Sequence, residues 1–288
     1  MRFFALIVIS CIFPIFVHAA GSAAYVLAKY DPFVGDWLPK KTGDYVAQVF
    51  ATGSNAYQAN ILVAFDDAES AEPVAVLRGT RSDEKSPVEL LGTDWTGVIR
   101  PDCCGSPQME ISNTKTGERI QLAQYMRSNP RLRAKPPVGA IVLFADRMVD
   151  GRVILERTQG KLVSVENFKN AHVHLEFRML SDQSAAAVTL WKKAPWIRVA
   201  ASYGRSGAVP PCGSLGLLQP SVRAERAVLE WQALDIKTDN GNVTVFLNGV
   251  KVHDNVAKIF IPDGSCQIEI ETDEAPVEFR NVWVMPRD

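Results

Sequence analysis

Three residues with acid–base side chains alternate along one short segment: His172, His174 and Glu176. The segment is rich in apolar and β-branched residues, and alternate residues of a β-strand lie on one face. We therefore take Glu176 and His174 as candidate catalytic residues, because imidazole and carboxyl groups can act as general acid and base. The alternatives are structural. Glu176 could form an ion pair with Arg178 or Arg280, and the histidines could be hydrogen-bonded polar groups.

A second group of residues is suited to holding a sugar. Trp191 and Trp196 could line a sugar groove, with packing in the core as the alternative. Trp196 follows Pro195 in a basic segment that includes Arg198, which favours exposure of its indole ring. An indole can stack on a sugar ring through its face and donate a hydrogen bond from its edge. Trp191, Trp196 and Arg198 are therefore candidate substrate-binding residues, whereas Trp231 is predicted to pack in the core.

Acidic residues cluster near the C-terminus, at Glu269, Glu271, Asp273 and Glu274. Such oxygen ligands suit calcium, but strand alternation places Glu269 and Glu271 together on a solvated face, which is the interpretation we favour. His253 could join the histidine pair, yet two histidines without a third ligand at fixed spacing do not define a metal site. The sequence therefore predicts no metal and no cofactor.

The elements that must position these residues are short strands. Runs of β-branched and aromatic residues bounded by Gly, Asn, Asp or Pro recur without a helical pattern between them, which predicts an all-β fold. Asn248-Gly249 between two apolar runs predicts a hairpin with a type I′ turn. A separate strand, from Leu229 to Ile236, is predicted to precede this hairpin. We divide the chain into a small N-terminal β domain (30–127), a basic Pro-rich linker (128–137) and a β-sandwich domain (138–286).

The N-terminus predicts export. A short positive start precedes an apolar run over residues 3–17 and an A-x-A-like site, which together predict a signal peptide over residues 1–19 that is cut before Ala20. The alternative is a lipoprotein box that ends at Cys11. Both place the mature protein in the secreted, periplasmic or cell-envelope fraction, and no later stretch is long enough to span a bilayer.

The charge of the chain argues against nucleic acid as a partner. The formal net charge is -1 and no basic block is interleaved with aromatic residues, so nucleic-acid binding is not expected.

Export would leave Cys103, Cys104, Cys212 and Cys266, which can pair in three ways in an oxidising compartment. We expect at least one disulfide among them, and the sequence leaves both its connectivity and the oligomeric state open.

An ordered series of motifs resembles the 3-keto-disaccharide hydrolase family. They are the entry at residues 134–144, the His-x-Glu-Phe-Arg strand at 174–178, the Pro-Cys-Gly-Ser-Leu run at 211–215, Trp231-Gln232 with Asp235-Ile236, the strand pair at 244–252, and the closing strand at 279–284. The resemblance implies a concanavalin A-like jelly roll, and cleavage of glycosides or disaccharides that carry a 3-keto sugar.

Three polar segments depart from the family pattern. Aligning Ser202-Tyr203-Gly204 with the family places Trp196 where the family has Glu, Arg198 where it has Gln, and Ala201 where it has Asp. Residues 271–274 stand where a Gln-Asp-His-Gly run is expected, so Glu271 and Asp273 are candidate substrate-binding residues by position.

These departures leave three hypotheses. The first is an exported carbohydrate-active protein, hydrolase-like by descent, that acts through Glu176 and His174 with altered site positions. The second is a non-catalytic module that binds a glycan or another cell-surface partner through Trp191 and Trp196. The third is a structural envelope protein in which the fold serves only as a scaffold.

Overall fold

The computed structural model describes most of the chain after residue 26. The described residues are 27–41, 43–65, 72–102, 106–143, 152–155 (backbone only), 161–164, 166–190, 196–205, 210–256, 267–272 and 275–287. They contain no helix. The prediction of an all-β fold, with a jelly-roll sandwich preceded by a small β domain, is confirmed.

The N-terminal half is a closed barrel of eight antiparallel strands. The strands are β1 (Gly35–Pro39), β2 (Val46–Gly53), β3 (Ala56–Leu62), β4 (Ala75–Thr80), β5 (Val88–Leu91), β6 (Trp95–Arg100), β7 (Gln108–Asn113) and β8 (Arg119–Tyr125). Strand β1 pairs with both β2 and β8, which closes the barrel. Large side chains such as Trp37, Leu77 and Met109 are fully buried and fill its interior, as expected for a barrel of this size.

The C-terminal half is a sandwich of two sheets. Its strands are β9 (Ile141–Val142), β10 (Arg152–Leu155), β11 (Lys161–Val163), β12 (Asn170–Met179), β13 (Ala185–Thr189), β14 (Ile197–Ala200), β15 (Gln232–Asp239), β16 (Asn242–Leu247), β17 (Val250–Val256), β18 (Glu269–Thr272) and β19 (Val277–Arg287). One sheet has seven strands in the order β10-β19-β12-β15-β16-β17, with β9 also paired to β19, and the other has four in the order β11-β18-β13-β14.

The sandwich core forms between these two sheets. Val173, Leu175 and Phe177 of β12 are fully buried in one cluster with Val188 of β13 and Ile197 of β14. Because side chains alternate along a strand, the residues between these positions lie on the outer faces of the two sheets. This alternation decides where every candidate site residue is found.

Two predictions about local structure have different outcomes. Asn248 and Gly249 have φ angles of 54° and 86°, and they join the paired strands β16 and β17, so the predicted hairpin is confirmed. The strand predicted to begin at Leu229 begins instead at Gln232. Leu229 has a φ of 68°, outside the extended region, and its N–H donates to the carbonyl of Met179 in a turn.

Buried polar groups join the barrel to the sandwich. The Arg127 guanidinium, just after the last barrel strand, donates to Asp36 of β1 and to the carbonyl of Glu225. The Tyr203 hydroxyl of the sandwich donates to the same Asp36 carboxylate. Phe50 of the barrel packs with Tyr203 and Ala227. The sandwich therefore meets the barrel through hydrogen bonds to a buried ion pair of the barrel and through a small apolar contact.

Several predictions fall wholly or partly outside the described residues. The signal peptide, the lipoprotein box at Cys11, and Cys103, Cys104 and Cys266 are among them. Cys212 is described: its thiol is free and fully buried, and burial raises its pKa to about 12. In the described ranges no helix has the length and apolarity that crossing a membrane requires.

Candidate functional site

The candidate residues of the sequence lie on two opposite surfaces of the sandwich. His174 and Glu176 are on the outer face of the seven-stranded sheet, since the alternate residues Val173, Leu175 and Phe177 point into the core. Trp196, Arg198 and Glu271 belong to the outer face of the four-stranded sheet by the same alternation. Among the described residues, the structure therefore does not bring the predicted catalytic pair together with Trp196, Arg198 and Glu271. We call these surfaces the covered face and the exposed face, respectively.

Asp235 is the centre of the covered face. Antiparallel pairing of β12 with β15 places it directly opposite His174. Its oxygen Oδ1 lies 2.8 Å from His172 Nε2 and 3.1 Å from His174 Nδ1. Arg131 donates to both carboxylate oxygens, from Nε at 2.8 Å and Nη2 at 2.6 Å. This bidentate pair is a strong charge-assisted contact, and it is almost completely buried on the Asp235 side.

Glu176, like Asp235, accepts hydrogen bonds on both of its carboxylate oxygens. Arg280 Nε donates to its Oε2 at 2.7 Å, and Asn281 Nδ2 donates to its Oε1 at 2.9 Å. The backbone N–H of Arg133 also donates to Oε1. His174 Nε2 lies 3.8 Å from the same oxygen, which is too far for a hydrogen bond but close enough for a coulombic interaction. Of the two predicted ion-pair partners, Glu176 takes Arg280, while Arg178 pairs with Glu278.

These contacts fix the charges of the covered face. Burial alone would raise the pKa of Glu176, but its neighbours His174, Asn281, Arg280 and the Arg133 amide lower that pKa to about 2. Burial alone would lower the pKa of His174, but Asp235 and Glu176 raise it above the ordinary imidazole value. The arrangement is therefore a buried imidazole whose two carboxylate neighbours, Asp235 and Glu176, both favour its protonated form.

A segment over residues 129–136, here called the strap, closes the covered face. Besides the Arg131 and Arg133 contacts, Asn129 Nδ2 donates to Asn248 Oδ1 at 2.8 Å, and the carbonyl of Ala134 accepts from Asn281 Nδ2 at 2.8 Å. The strap lies within the region predicted to be a linker. Its backbone and side chains are bound across strands β12, β15 and β19 of the seven-stranded sheet.

The exposed face differs in both composition and exposure. Strand pairing places Ala187 of β13 between Arg198 of β14 and Glu271 of β18, with Lys161 of β11 at the far side. Glu271 and Lys161 are exposed, and Arg198 is half-buried. The half-buried ring of Trp196 lies 5.8 Å from the Arg198 guanidinium carbon. An indole, a guanidinium and a carboxylate thus share one accessible surface.

Comparison with known proteins identifies the scaffold. The model of the 3-keto-disaccharide hydrolase family, described as the 3-keto-alpha-glucoside-1,2-lyase-like domain, matches residues 114–285. The chain belongs to this family. The resemblance stated from the sequence is therefore confirmed, and the sandwich is a glycosyl-hydrolase-like carbohydrate domain. No curated protein matches the chain.

Solved structures with similar folds are distant. A candidate glycosyl hydrolase from Parabacteroides distasonis is 14% identical, with a TM-score of 0.40, over 54% of this chain and 91% of that one. A second candidate glycosyl hydrolase from that organism is 15% identical, with a TM-score of 0.41, over 51% and 99%. The carbohydrate-binding module CBM66 from Bacillus subtilis is 12% identical, with a TM-score of 0.31, over 50% and 93%.

The other residues singled out in the sequence lie apart from the covered face or outside the described residues. Trp191 and Asp273 lie outside the described residues. His253 is buried on β17 and binds the carbonyl of Gly213 through Nε2 at 2.9 Å, apart from the histidine pair. Trp231, predicted to pack in the core, is half-buried just before β15, with the Arg280 guanidinium carbon 3.8 Å from its ring centre. Among the described residues, no group of three or more His, Cys, Asp or Glu could hold a metal ion.

The residues that organise the covered face were not among the predicted site residues. Asp235, Arg131 and Asn281 make most of its hydrogen bonds. A signal for Asp235 was present, because a carboxylate between the apolar Leu234 and Ile236 within a strand needs a partner. Arg131 and Asn281 gave no comparable signal, since one lies in a basic Pro-rich segment and the other in a closing strand motif.

Proposed function

We propose that this protein is an exported member of the 3-keto-disaccharide hydrolase family that binds carbohydrate through its exposed face and has a degenerate active site. The observation that carries the proposal is the state of Glu176. It is the carboxylate that the sequence favours as a catalytic acid, and it is fully buried with hydrogen bonds to both oxygens.

The chemistry of glycoside cleavage supports this proposal. Cleavage requires one group that protonates the leaving oxygen and another that activates water or attacks the sugar. A carboxyl with a pKa of about 2 is ionised at neutral pH, so Glu176 has no proton to give. Reaction of a 3-keto sugar by proton abstraction would need a base that can reach the substrate. His174 has no exposed surface, and both carboxylate oxygens of Glu176 already accept hydrogen bonds from Arg280, Asn281 and the Arg133 amide.

The exposed face supports binding in place of cleavage. Trp196 and Arg198 stand where the family pattern has Glu and Gln, and both belong to this surface. A half-buried indole presents an apolar face for stacking, and a guanidinium donates hydrogen bonds to hydroxyl groups. Neither side chain can act as an acid or base at neutral pH. Replacing the family residues by these two therefore favours holding a sugar over cutting it.

Binding to a panel of oligosaccharides, including 3-keto disaccharides, tests this proposal. We expect Trp196→Ala to weaken binding by about fivefold or more, because a lost aromatic stacking contact costs roughly 1–3 kcal/mol. Isothermal titration calorimetry on the purified protein gives the affinities. Tyr125→Ala is the matched control, since Tyr125 is an exposed aromatic residue on the barrel.

Two results would contradict the proposal. One is an affinity that Trp196→Ala leaves unchanged, and the other is the absence of binding across the whole panel. Absence of binding would favour the third hypothesis, a structural envelope protein in which the fold serves only as a scaffold.

Export rests on the N-terminal segment alone. The charged start, apolar run and small-residue site predict that the mature chain begins at Ala20. N-terminal sequencing of the protein from the extracytoplasmic fraction checks this start. Recovery of the uncleaved chain from the cytoplasm would contradict it.

A further inference from the structure

A basic pocket opens where the strap meets the seven-stranded sheet. It has a volume of about 260 Å³ and is open to solvent. Its lining consists of Arg133, Ala134, Lys135 and Pro136 from the strap, Glu176 from β12, and Arg280 and Asn281 from β19. Ligand pockets for drug-sized molecules have volumes of about 300–1,000 Å³, so this one suits a single sugar unit or a smaller group.

The pocket carries a net positive charge. Arg133, Lys135 and Arg280 contribute three positive charges and Glu176 contributes one negative charge, which leaves two positive charges in excess. The Glu176 carboxylate is already used by Arg280 and Asn281. Within the described ranges, the exposed side chains of Arg133 and Lys135 form no ion pair or hydrogen bond. Two cations at the rim of a concave surface raise the local concentration of anions.

Two parts of this pocket are held in place before any ligand arrives: the backbone of Arg133 and the guanidinium of Arg280. Arg133 has a φ of 60°, in the left-handed region that a residue with a side chain rarely adopts. Its backbone N–H donates to Glu176, which holds that conformation. Arg280 is fixed as well, because its Nε is bound to Glu176 and its guanidinium lies over the Trp231 ring. Preorganised groups lose little conformational freedom when they bind a ligand.

The remaining groups point to a carboxylate on a sugar. Arg280 uses Nε for Glu176, which leaves its two terminal nitrogens in the planar fork that matches a carboxylate. Ala134 and Pro136 add apolar surface, on which the carbon-bound face of a sugar ring can rest. We infer that this pocket binds the carboxylate group of an acidic sugar, such as a uronic acid unit of a glycan, through Arg280, Arg133 and Lys135.

This inference goes beyond the proposed function, because it concerns the opposite sheet from Trp196. The two can fail separately. Loss of neutral-sugar binding in Trp196→Ala tests the exposed face alone, whereas discrimination between charged and neutral sugars tests the pocket alone. A protein that binds uronic acid oligomers with or without Trp196 would support the pocket whatever the outcome on the exposed face.

Calorimetric titration with galacturonic acid oligomers tests the pocket in the full chain. The uncharged probe is the methyl ester of the same oligomers, which removes the charge and keeps the ring. We expect the ester to bind about tenfold or more weakly than the acid, since charge-assisted contacts dominate. We also expect the affinity for the acid to fall at high ionic strength.

A charge-matched pair of variants removes the ambiguity of long-range attraction. Arg133→Gln/Lys135→Gln and Lys85→Gln/Arg119→Gln each remove two positive charges, and Lys85 and Arg119 are exposed on the barrel. The first variant should lose about tenfold in affinity for the acid, and the second should retain it. Equal affinity for acid and ester, equal behaviour of the two variants, or sulfate binding as tight as the oligomer would overturn the inference.

Discussion

The two sheets of the sandwich both turn charged side chains outward, but the strap covers only the seven-stranded sheet. On the covered face, Asp235 and Glu176 are buried and bound to arginines, histidines and backbone amides. On the exposed face, Glu271 is accessible to water and Glu269 pairs with the exposed Lys161 at 2.9 Å. The same residue types therefore have different roles. Under the strap they are buried and paired, and on the open sheet they are accessible to water.

This difference bears on what the motif match can say about the acid–base groups of the strand. The His-x-Glu-Phe-Arg strand of the family is present, yet its acid–base groups are occupied by partners that lie far away in sequence. Arg131 and Asp235 are separated by 104 residues and His174 and Asp235 by 61. Which groups remain reactive is decided by those partners and by the cover, and not by the motif alone.

The largest expected effect comes from neutralising the centre of the covered face. Asp235→Asn would leave Arg131 and the two histidines without their shared carboxylate. Breaking a buried ion pair in this way costs about 3–5 kcal/mol, so the free energy of unfolding should fall by that amount in denaturant titrations.

Asp254→Asn is its control on the same sheet, because Asp254 forms an exposed pair with Lys251. An exposed pair of this kind contributes less than about 1 kcal/mol. Equal losses in the two variants would contradict the distinction between covered and exposed charges.

A smaller effect, with a specific pH dependence, is expected for Glu176→Gln. The pKa of Glu176 falls from 4.5 to about 2 on folding, so the ionised form stabilises the folded state. That stabilisation is complete above pH 4.5 and is lost as the pH falls towards 2. The variant should be less stable than the wild type at pH 7, and the difference should shrink across this window in acid-unfolding experiments followed by circular dichroism.

Glu271→Gln makes the same change on the exposed face. It should have the smallest effect on the free energy of unfolding. Because Glu271 is exposed, we expect a change within about 0.5 kcal/mol at every pH. A Glu271→Gln curve that follows that of Glu176→Gln would show that the strap makes no difference to these carboxylates.

Much of the strand content could be predicted from the sequence, because local patterns specify it. The Asn248-Gly249 hairpin, for example, joins β16 to β17 as expected. Strand β1 was not predicted, since Gly35, Asp36 and Pro39 disfavour strands in a local pattern. The buried Asp36 is paired with Arg127 in the folded protein. That contact depends on closure of the barrel, and so a local sequence pattern does not predict it.

The site was predictable in part. Alternation correctly placed His172, His174 and Glu176 on one face, since that depends only on the period of a strand. The partners could not be predicted, because the register that puts Asp235 opposite His174 depends on the pairing of distant strands. The separation of Trp196 from Glu176 has the same origin. The sequence shows which residues alternate along each strand, but it does not show which of the two sheets each strand joins.

Turnover of 3-keto disaccharides tests the central claim most directly. The purified protein would be incubated with a panel of 3-keto glucosides, beside an active hydrolase as positive control, and the released sugars would be quantified by mass spectrometry. We expect no release above the uncatalysed background, and no difference between the wild type and Glu176→Gln. Release of a 3-keto sugar by the wild type that Glu176→Gln abolishes would contradict the account, because it would show that the buried carboxylate is catalytic.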